Sequence, residues 1–194
     1  MTELRERIQA LPGMDALLPA LDGLPPAYLV GGAVRDLIRG ADAVDLDVAM
    51  EGDAVSAART LADRLGGSAV EHDRFGTATV SWPAHSADLA TTRRESYAHP
   101  GALPDVEPAP LAEDLKRRDF TVNAMAAGIS GQDLGVLHDP YGGEADLAAG
   151  AIRVLHELSF VDDPTRILRA IRYEARLGAR LDPLTEELAK EAIE

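Results

Sequence analysis

Residues 28–47 read YLVGGAVRDLIRGADAVDLD, and the physics of this stretch decides the fold. Tyr28, Leu29 and Val30 predict a short apolar strand and Gly31-Gly32 a tight turn; residues 33–39 predict a helix closing at Gly40, and residues 44–50 a second strand. A Gly-Gly pair has no Cβ, so the backbone turns sharply and its N–H groups approach a ligand closely. Where such a turn opens a helix, those N–H groups and the helix dipole favour an anion such as phosphate. Arg35, in the first turn and followed by Asp36, adds a forked donor that matches phosphate oxygens. On a strand, residues i and i+2 share a face, so Asp45 and Asp47 present two carboxylates side by side. Left alone they repel, and a shared divalent cation removes the repulsion. A lone DxD or a lone glycine turn is a weak signal. Strand, GG, RD and DxD within one short stretch point together to metal–phosphate chemistry.

Towards the N-terminus, Leu4, Ile8 and Leu11, then Leu17, Leu18 and Leu21, recur at helical spacing around a break at Pro12-Gly13, which predicts two short helices ended by Pro25-Pro26. Downstream, Asp53 reads as the N-cap of a helix running to Leu65 and stopped at Gly66-Gly67. Residues 68–82 read as two strands around a turn at 73–76, and residues 87–91 as a further strand carrying Asp88. That strand is expected beside 44–50. Asp88 then either joins the DxD pair as a third carboxylate, binding metal or accepting the proton of an attacking hydroxyl, or simply caps the strand end. Residues 93–115 hold four of the 12 prolines and few large apolar side chains, the composition of a mobile loop.

Residues 116–126, KRRDFTVNAMA, set three cations in a row, at least one of which is expected to face ligand or solvent, with Phe120, Val122 and Met125 in the core. A glycine-rich connection follows, with His138 structural, a turn or short helix near Asp146-Leu147 and a strand at 152–155. Beyond Phe160, Pro164 is expected in the first turn of a helix on which Arg166, Arg169, Arg172, Arg176 and Arg180 fall within about a third of the circumference. Ile167, Leu168, Ile171 and Ala175 fall on another face. Asp163 and Arg166, three apart, are either a surface ion pair or a base-reading pair. In the second reading the carboxylate takes an amino proton and the guanidinium serves a ring nitrogen, which accepts cytosine and adenine and rejects uracil and guanine.

The bulk numbers bound these readings. The 194 residues suffice for one domain and a smaller piece, and 46% hydrophobic content supports a core. The net charge of −14 argues against non-specific adhesion to nucleic acid, so a nucleic-acid enzyme of this composition must concentrate its positive charge locally, as the arginine stripe does. Cysteine is absent, which removes disulfides, thiolate metal sites and cysteine nucleophiles. No apolar run reaches membrane-spanning length and no basic-then-apolar leader is seen, so the expectation is a soluble, cytoplasmic protein without a membrane partner.

Over about residues 28–180 the pattern resembles the class II tRNA nucleotidyltransferases (CCA-adding enzymes) and the related bacterial poly(A) polymerases, of the polymerase β-like superfamily. The resemblance implies an α/β fold: a nucleotidyltransferase head with a mixed, about five-stranded sheet flanked by helices, then a small all-helical neck. It divides the chain into N-terminal helices (1–27), head (28–158) and the start of a truncated neck (159–194). It implies Mg²⁺ held by Asp45 and Asp47, with Asp88 as the third catalytic residue. Transfer from CTP or ATP to the 3′-hydroxyl at the tRNA 3′ end follows, with release of pyrophosphate. Gly31, Gly32, Arg35 and Asp36 would then serve the nucleotide, Arg118, Asp119 and Asn123 its ribose and triphosphate, and the DDPTR motif its base. In that motif Asp162, Asp163 and Arg166 form an acid-acid-x-x-arginine pattern, with Arg169 and Arg172 on the same helix; Asp162 stands where the family usually has Glu. Arg94, Glu95 and Tyr97 fit the family pattern in a flexible loop that takes part in switching the added base. CC-only addition, A-only addition and poly(A) synthesis share these motifs. From other classes, an aspartate-nucleophile phosphatase would need a phosphate-holding Lys and a later acidic pair after a strand, whereas a catalytically silent nucleotide-binding module stays open.

Overall fold

The computed structural model describes residues 2–41, 45–72, 76–99 and 101–193. Two helices open the chain, α1 (Thr2–Gln9) and α2 (Met14–Ala20), parted at Gly13, whose φ of 83° suits only a residue without a Cβ. Strand β1 (Ala27–Val30) runs through the glycine turn into α3 (Gly32–Ile38), and β2 (Asp47–Met50) follows. Helix α4 (Ala54–Leu65) is capped as its sequence predicts: the Asp53 carboxylate accepts from the Ser56 N–H, and Gly66 at φ 63° ends it. Strands β3 (Ser68–His72), β4 (Thr77–Trp82) and β5 (His85–Thr91) complete one half of the main sheet.

The expected loop at 93–115 is instead ordered structure. Strands β6 (Arg93–Ser96) and β7 (Asp105–Pro108) pair antiparallel, and α5 (Leu111–Lys116) follows. A cross-strand charge pair, Arg94 with Glu107 at 2.5 Å, joins the two strands of this hairpin, which carry few large apolar side chains, and its composition therefore mimics a loop. A 3-10 turn at Thr121–Asn123 leads to β8 (Ala126–Gly128), β9 (Leu137–His138), α6 (Gly143–Ala149) and β10 (Ala151–Ile152). Strand β10 is shorter than expected because Val154 turns away to bridge Phe120, and its N–H donates to Thr185 Oγ1. The chain then forms α7 (Ser159–Asp162), α8 (Thr165–Leu177), β11 (Arg180–Leu181) and α9 (Pro183–Glu191). The C-terminal part is therefore not all helical: β11 pairs parallel with β10. Arg180 lies on β11, because Gly178 at φ 63° ends α8 two residues earlier.

The main sheet has seven strands rather than about five, in the order β3-β4-β5-β2-β1-β8-β9, the short β9 pairing at its edge. Strands β2 and β5 are parallel and the remaining pairs of this sheet antiparallel. The mixed α/β architecture expected from the sequence is thus present. Alternation divides β2: Val48 and Met50 join the core beneath the N-terminal helices, α3 and α4, while Ala49 belongs to a second cluster with Tyr28, Val30 and the α5 residues Leu111 and Leu115. Asp47, two residues before Ala49, is on this second face. A third cluster joins Phe120, Val122, Ile152 and Val154 to Phe160, Ala170, Ala179 and Ala189, so the C-terminal helices pack on the sheet-bearing part. Opposite that contact, Leu168 and Ile171 of α8 are 71% and 57% exposed. Among the described residues no helix is long and apolar enough to cross a membrane.

Candidate active site

The glycine turn sits where β1 ends. Gly31 has φ 62° and ψ −124°, a conformation open in practice to glycine alone, and its N–H donates to the Met125 carbonyl of the neighbouring strand segment. A Cβ on Gly31 would stand 3.0 Å from the Arg118 guanidinium, so the missing side chain is what lets Arg118 lie against the turn. Turn and guanidinium face a cavity of about 680 Å³, which Asp45 and Asp47 also line.

Both carboxylates are exposed while Leu46 between them is buried, as the two-residue period requires. Asp45 precedes β2 and Asp47 is its first residue. The parallel register places Asp47 directly opposite Asp88, and Thr79 directly opposite Asp88 on the other side, so three adjacent strands carry a row of polar side chains. Like charges at facing positions repel. The Asp47 carboxyl is accordingly pushed above the usual carboxylate range, first by burial, then by Asp88 and Asp45, with Arg118 pulling the other way. Asp88 opens onto an adjoining cavity of about 390 Å³, which shares Asp47 and Arg118 as its wall.

These donors fit Mg²⁺. They are hard carboxylate oxygens whose mutual repulsion a dication relieves, and Mg²⁺ typically takes one or two carboxylates while keeping waters and substrate phosphates.

Arg35 is held by protein acceptors at the edge of the cavity. It is 1% exposed, its Nε and Nη2 donate to the two Asp36 oxygens at 2.9 and 3.0 Å, and its Nη1 donates to Asn123 Oδ1 at 2.7 Å. It borders the cavity but its fork is spent on protein acceptors. Asn123 in turn donates to Asp119 Oδ1, Asp119 Oδ2 accepts from Arg169, and Asp36 accepts from Arg176. The Arg35 and Arg169 guanidiniums both lie over the Tyr173 ring, 5.5 and 5.6 Å from its centroid. The residues singled out on α3 and at 119–123 thus form one network with α8, and through it they shape the cavity wall.

Arg117 and Arg118 both find a carboxylate, and it is the same one. Asp114, 1% exposed, accepts from both, and although burial alone would raise its pKa, Arg118 and Arg117 hold it below the ordinary value. Arg117 also donates to Glu95, which accepts from the Tyr97 hydroxyl as well. Glu95 and Tyr97 therefore enter the cavity wall from the hairpin, and Gly101 at its tip donates to the Asp162 carbonyl.

The far end of the cavity is built by α7 and α8. Asp163 Oδ1 accepts from the Thr165 N–H and hydroxyl, a helix-start contact, while its Oδ2 lies 3.8 Å from Arg166 Nε. Arg166, 5% exposed, donates to Ser159 Oγ at 2.7 Å and to the Arg117 carbonyl at 3.0 Å, so its plane is fixed. Asp162, Asp163, Arg166 and Arg169 all line the cavity; Arg172 is exposed and stands outside it. Arg117, Tyr173 and Arg176 also border the cavity and were not picked out as site residues, though Arg176 was legible in the arginine stripe.

A glycine turn beside a guanidinium, paired strand carboxylates and an acid–arginine pair, all facing one cavity of a mixed sheet, are the features of a nucleotidyltransferase head. The family described as the poly A polymerase head domain matches residues 27–153, and the chain belongs to it. It is 49% identical over 169 residues to the A-adding tRNA nucleotidyltransferase of Geobacter sulfurreducens, covering 87% of this chain and 19% of that protein. It is 40% identical to the CC-adding tRNA nucleotidyltransferase of Deinococcus radiodurans, covering 84% and 43%. A solved CCA-adding enzyme in an apo form superposes with a TM-score of 0.91 at 46% identity, over 99% of this chain and 46% of that one. The chain thus spans less than half the length of each of these relatives.

Proposed function

We propose that the chain carries the catalytic head of a template-independent RNA nucleotidyltransferase, which moves a nucleotidyl group from CTP or ATP to the 3′-hydroxyl of tRNA. The observation that carries this reading is the shared cavity, with Asp45 and Asp47 beside the Gly31–Arg118 turn at one end and Asp163 with a fixed Arg166 at the other. The triphosphate lies against the turn, where Arg118 and the N–H groups of the first helical turn meet its charge. The base lies against Asp163 and Arg166, whose acceptor and donor match the pairing edges of cytosine and adenine. Asp119 and Asn123, fixed by Arg169 and Arg35, stand between the two ends at the ribose.

Asp45 and Asp47 hold Mg²⁺ in this reading; when bound, the ion offsets triphosphate charge and favours ionisation of the attacking hydroxyl. The 3′-oxygen of the RNA bonds to the α-phosphorus, the bond to the β-phosphate bridging oxygen breaks, and pyrophosphate leaves. Asp88, facing Asp47 on the adjoining cavity, takes the hydroxyl proton in this reading. The divisions at 27/28 and 158/159 are proposed as segment boundaries of the polypeptide, and a cytoplasmic location is proposed with them. A-only addition is the second reading, because identity to the A-adding relative exceeds identity to the CC-adding one.

Titration with CTP, ATP, GTP and UTP in Mg²⁺ tests the base end. CTP or ATP binding more tightly than UTP and GTP is expected, with Arg166→Ala narrowing that preference by about 10-fold or more, the scale of one good pairing contact. Equal affinity for all four in the parent protein contradicts the reading.

A further inference from the structure

The proton-accepting side of the site rests on Asp88; one side chain outside the family-like motifs touches it, and a second holds the first. Thr79 Oγ1 donates to Asp88 Oδ1 at 2.6 Å. A hydroxyl has one proton to give, so Thr79 meets His72 Nε2, 3.2 Å away, as an acceptor. His72 therefore carries its hydrogen on Nε2, whatever the state of Nδ1. The row is built into the sheet: Thr79 faces Asp88 across β4 and β5, Asp88 faces Asp47 across β5 and β2, and His72 faces Thr77, two residues along β4 from Thr79. His72, Thr79, Asp88 and Asp47 line the same secondary cavity.

We propose that Thr79, held by His72, is the positioning residue that fixes the Asp88 carboxylate, occupying Oδ1 and leaving Oδ2 for the hydroxyl of the incoming RNA end. The inference rests on the reading of Asp88 as the proton acceptor. An unrestrained Asp carboxylate turns freely about its last torsion, and beside Asp47 it would swing away from the like charge. Thr79 opposes that swing without adding a positive charge that would weaken the base. Support from a second residue of this kind is usually worth about 10-fold to 100-fold in rate.

The test uses Thr79→Val, which keeps the β-branched shape and removes the hydroxyl, Thr79→Ser, which restores it, and Asp88→Asn. Thr79→Val is expected to lower kcat about 10-fold with the nucleotide KM nearly unchanged, and Thr79→Ser to recover most of that loss. In a readout independent of turnover, side-chain nitrogen shifts of His72 are expected to show the proton on Nε2 in the parent and a mixture of tautomers in Thr79→Val. Parental kcat in Thr79→Val, a change confined to KM, or a parent His72 protonated on Nδ1 alone overturns the positioning role. Asp88→Asn at the parental rate overturns the reading of Asp88 itself. An inactive Asp88→Asn beside a fully active Thr79→Val overturns the positioning role alone.

Discussion

Asp47→Asn is expected to make the metal-free protein more stable while abolishing nucleotide transfer. The Asp47 carboxylate faces Asp88 across adjacent strands and has Asp45 two residues back on the same face. Strand neighbours are about 4.8 Å apart, and unit charges at that spacing repel by about 0.8 kcal/mol in water-like surroundings and by several-fold more in a drier medium. Both side chains reach solvent, which screens them, and although neighbouring groups partly desolvate the Asp47 carboxyl, the lower end applies. Removing the middle charge should therefore release about 1–2 kcal/mol, which for a chain of this length raises Tm by roughly 3–6 °C. The pH dependence follows from the direction of the Asp47 shift. A carboxyl whose pKa is raised on folding weakens the fold when ionised, and that penalty fades as pH falls through its folded pKa towards 3.8, the unfolded value. The gain of the variant over the parent should accordingly be full near neutral pH and shrink in acid. Mg²⁺ should stabilise the parent and have little effect on Asp47→Asn. Thermal melts in chelator and in Mg²⁺, across this pH range, decide the matter. A variant no more stable than the parent in chelator, or equal stabilisation of both by Mg²⁺, refutes the reasoning.

Gly31→Ala should cost about 2 kcal/mol in denaturant titration, from its left-handed backbone and the 3.0 Å approach of Arg118, and should weaken triphosphate binding because Arg118 must move. Asp36→Ala should be among the more damaging substitutions, about 3–5 kcal/mol, because it strands the buried Arg35 guanidinium. Asp114→Asn should reduce stability at neutral pH and flatten the acid limb of the stability curve. The Asp114 pKa is lowered in the fold, so its contribution is present above the unfolded value of 3.8 and is lost as pH falls through the folded one. Arg172→Ala, outside the cavity, should leave nucleotide affinity within about 2-fold, consistent with an exposed charge of small energetic weight.

What the sequence disclosed was what local rules govern. The strand–turn–helix at 27–38 follows from three apolar residues and two glycines, and the placement of Asp88 beside Asp47 follows from the strand period and the pairing expected of their strands. The cap at Asp53 is local in the same sense. What stayed hidden depended on distant partners. Nothing local to Arg35 reveals that Asn123, which takes its Nη1, is 88 residues away. The hairpin at 93–108 looks like a loop because its strands are joined by charges, with prolines at 104 and 108 that usually mark irregular chain. That Arg117 and Arg118 share Asp114 is invisible to a count of cations, since one buried carboxylate serving two guanidiniums is a fact of packing. Residues 42–44 and 73–75, where the second strand was expected to begin and a turn was expected, lie outside the described residues.

The account is tested most directly by single-turnover extension, with each nucleoside triphosphate in Mg²⁺, of tRNA ending before CC, at C and at CC. Addition of A or C alone, lost in Asp47→Asn and in chelator, is the predicted result. Incorporation of U or G at equal rates, or undiminished addition by Asp47→Asn, would contradict it.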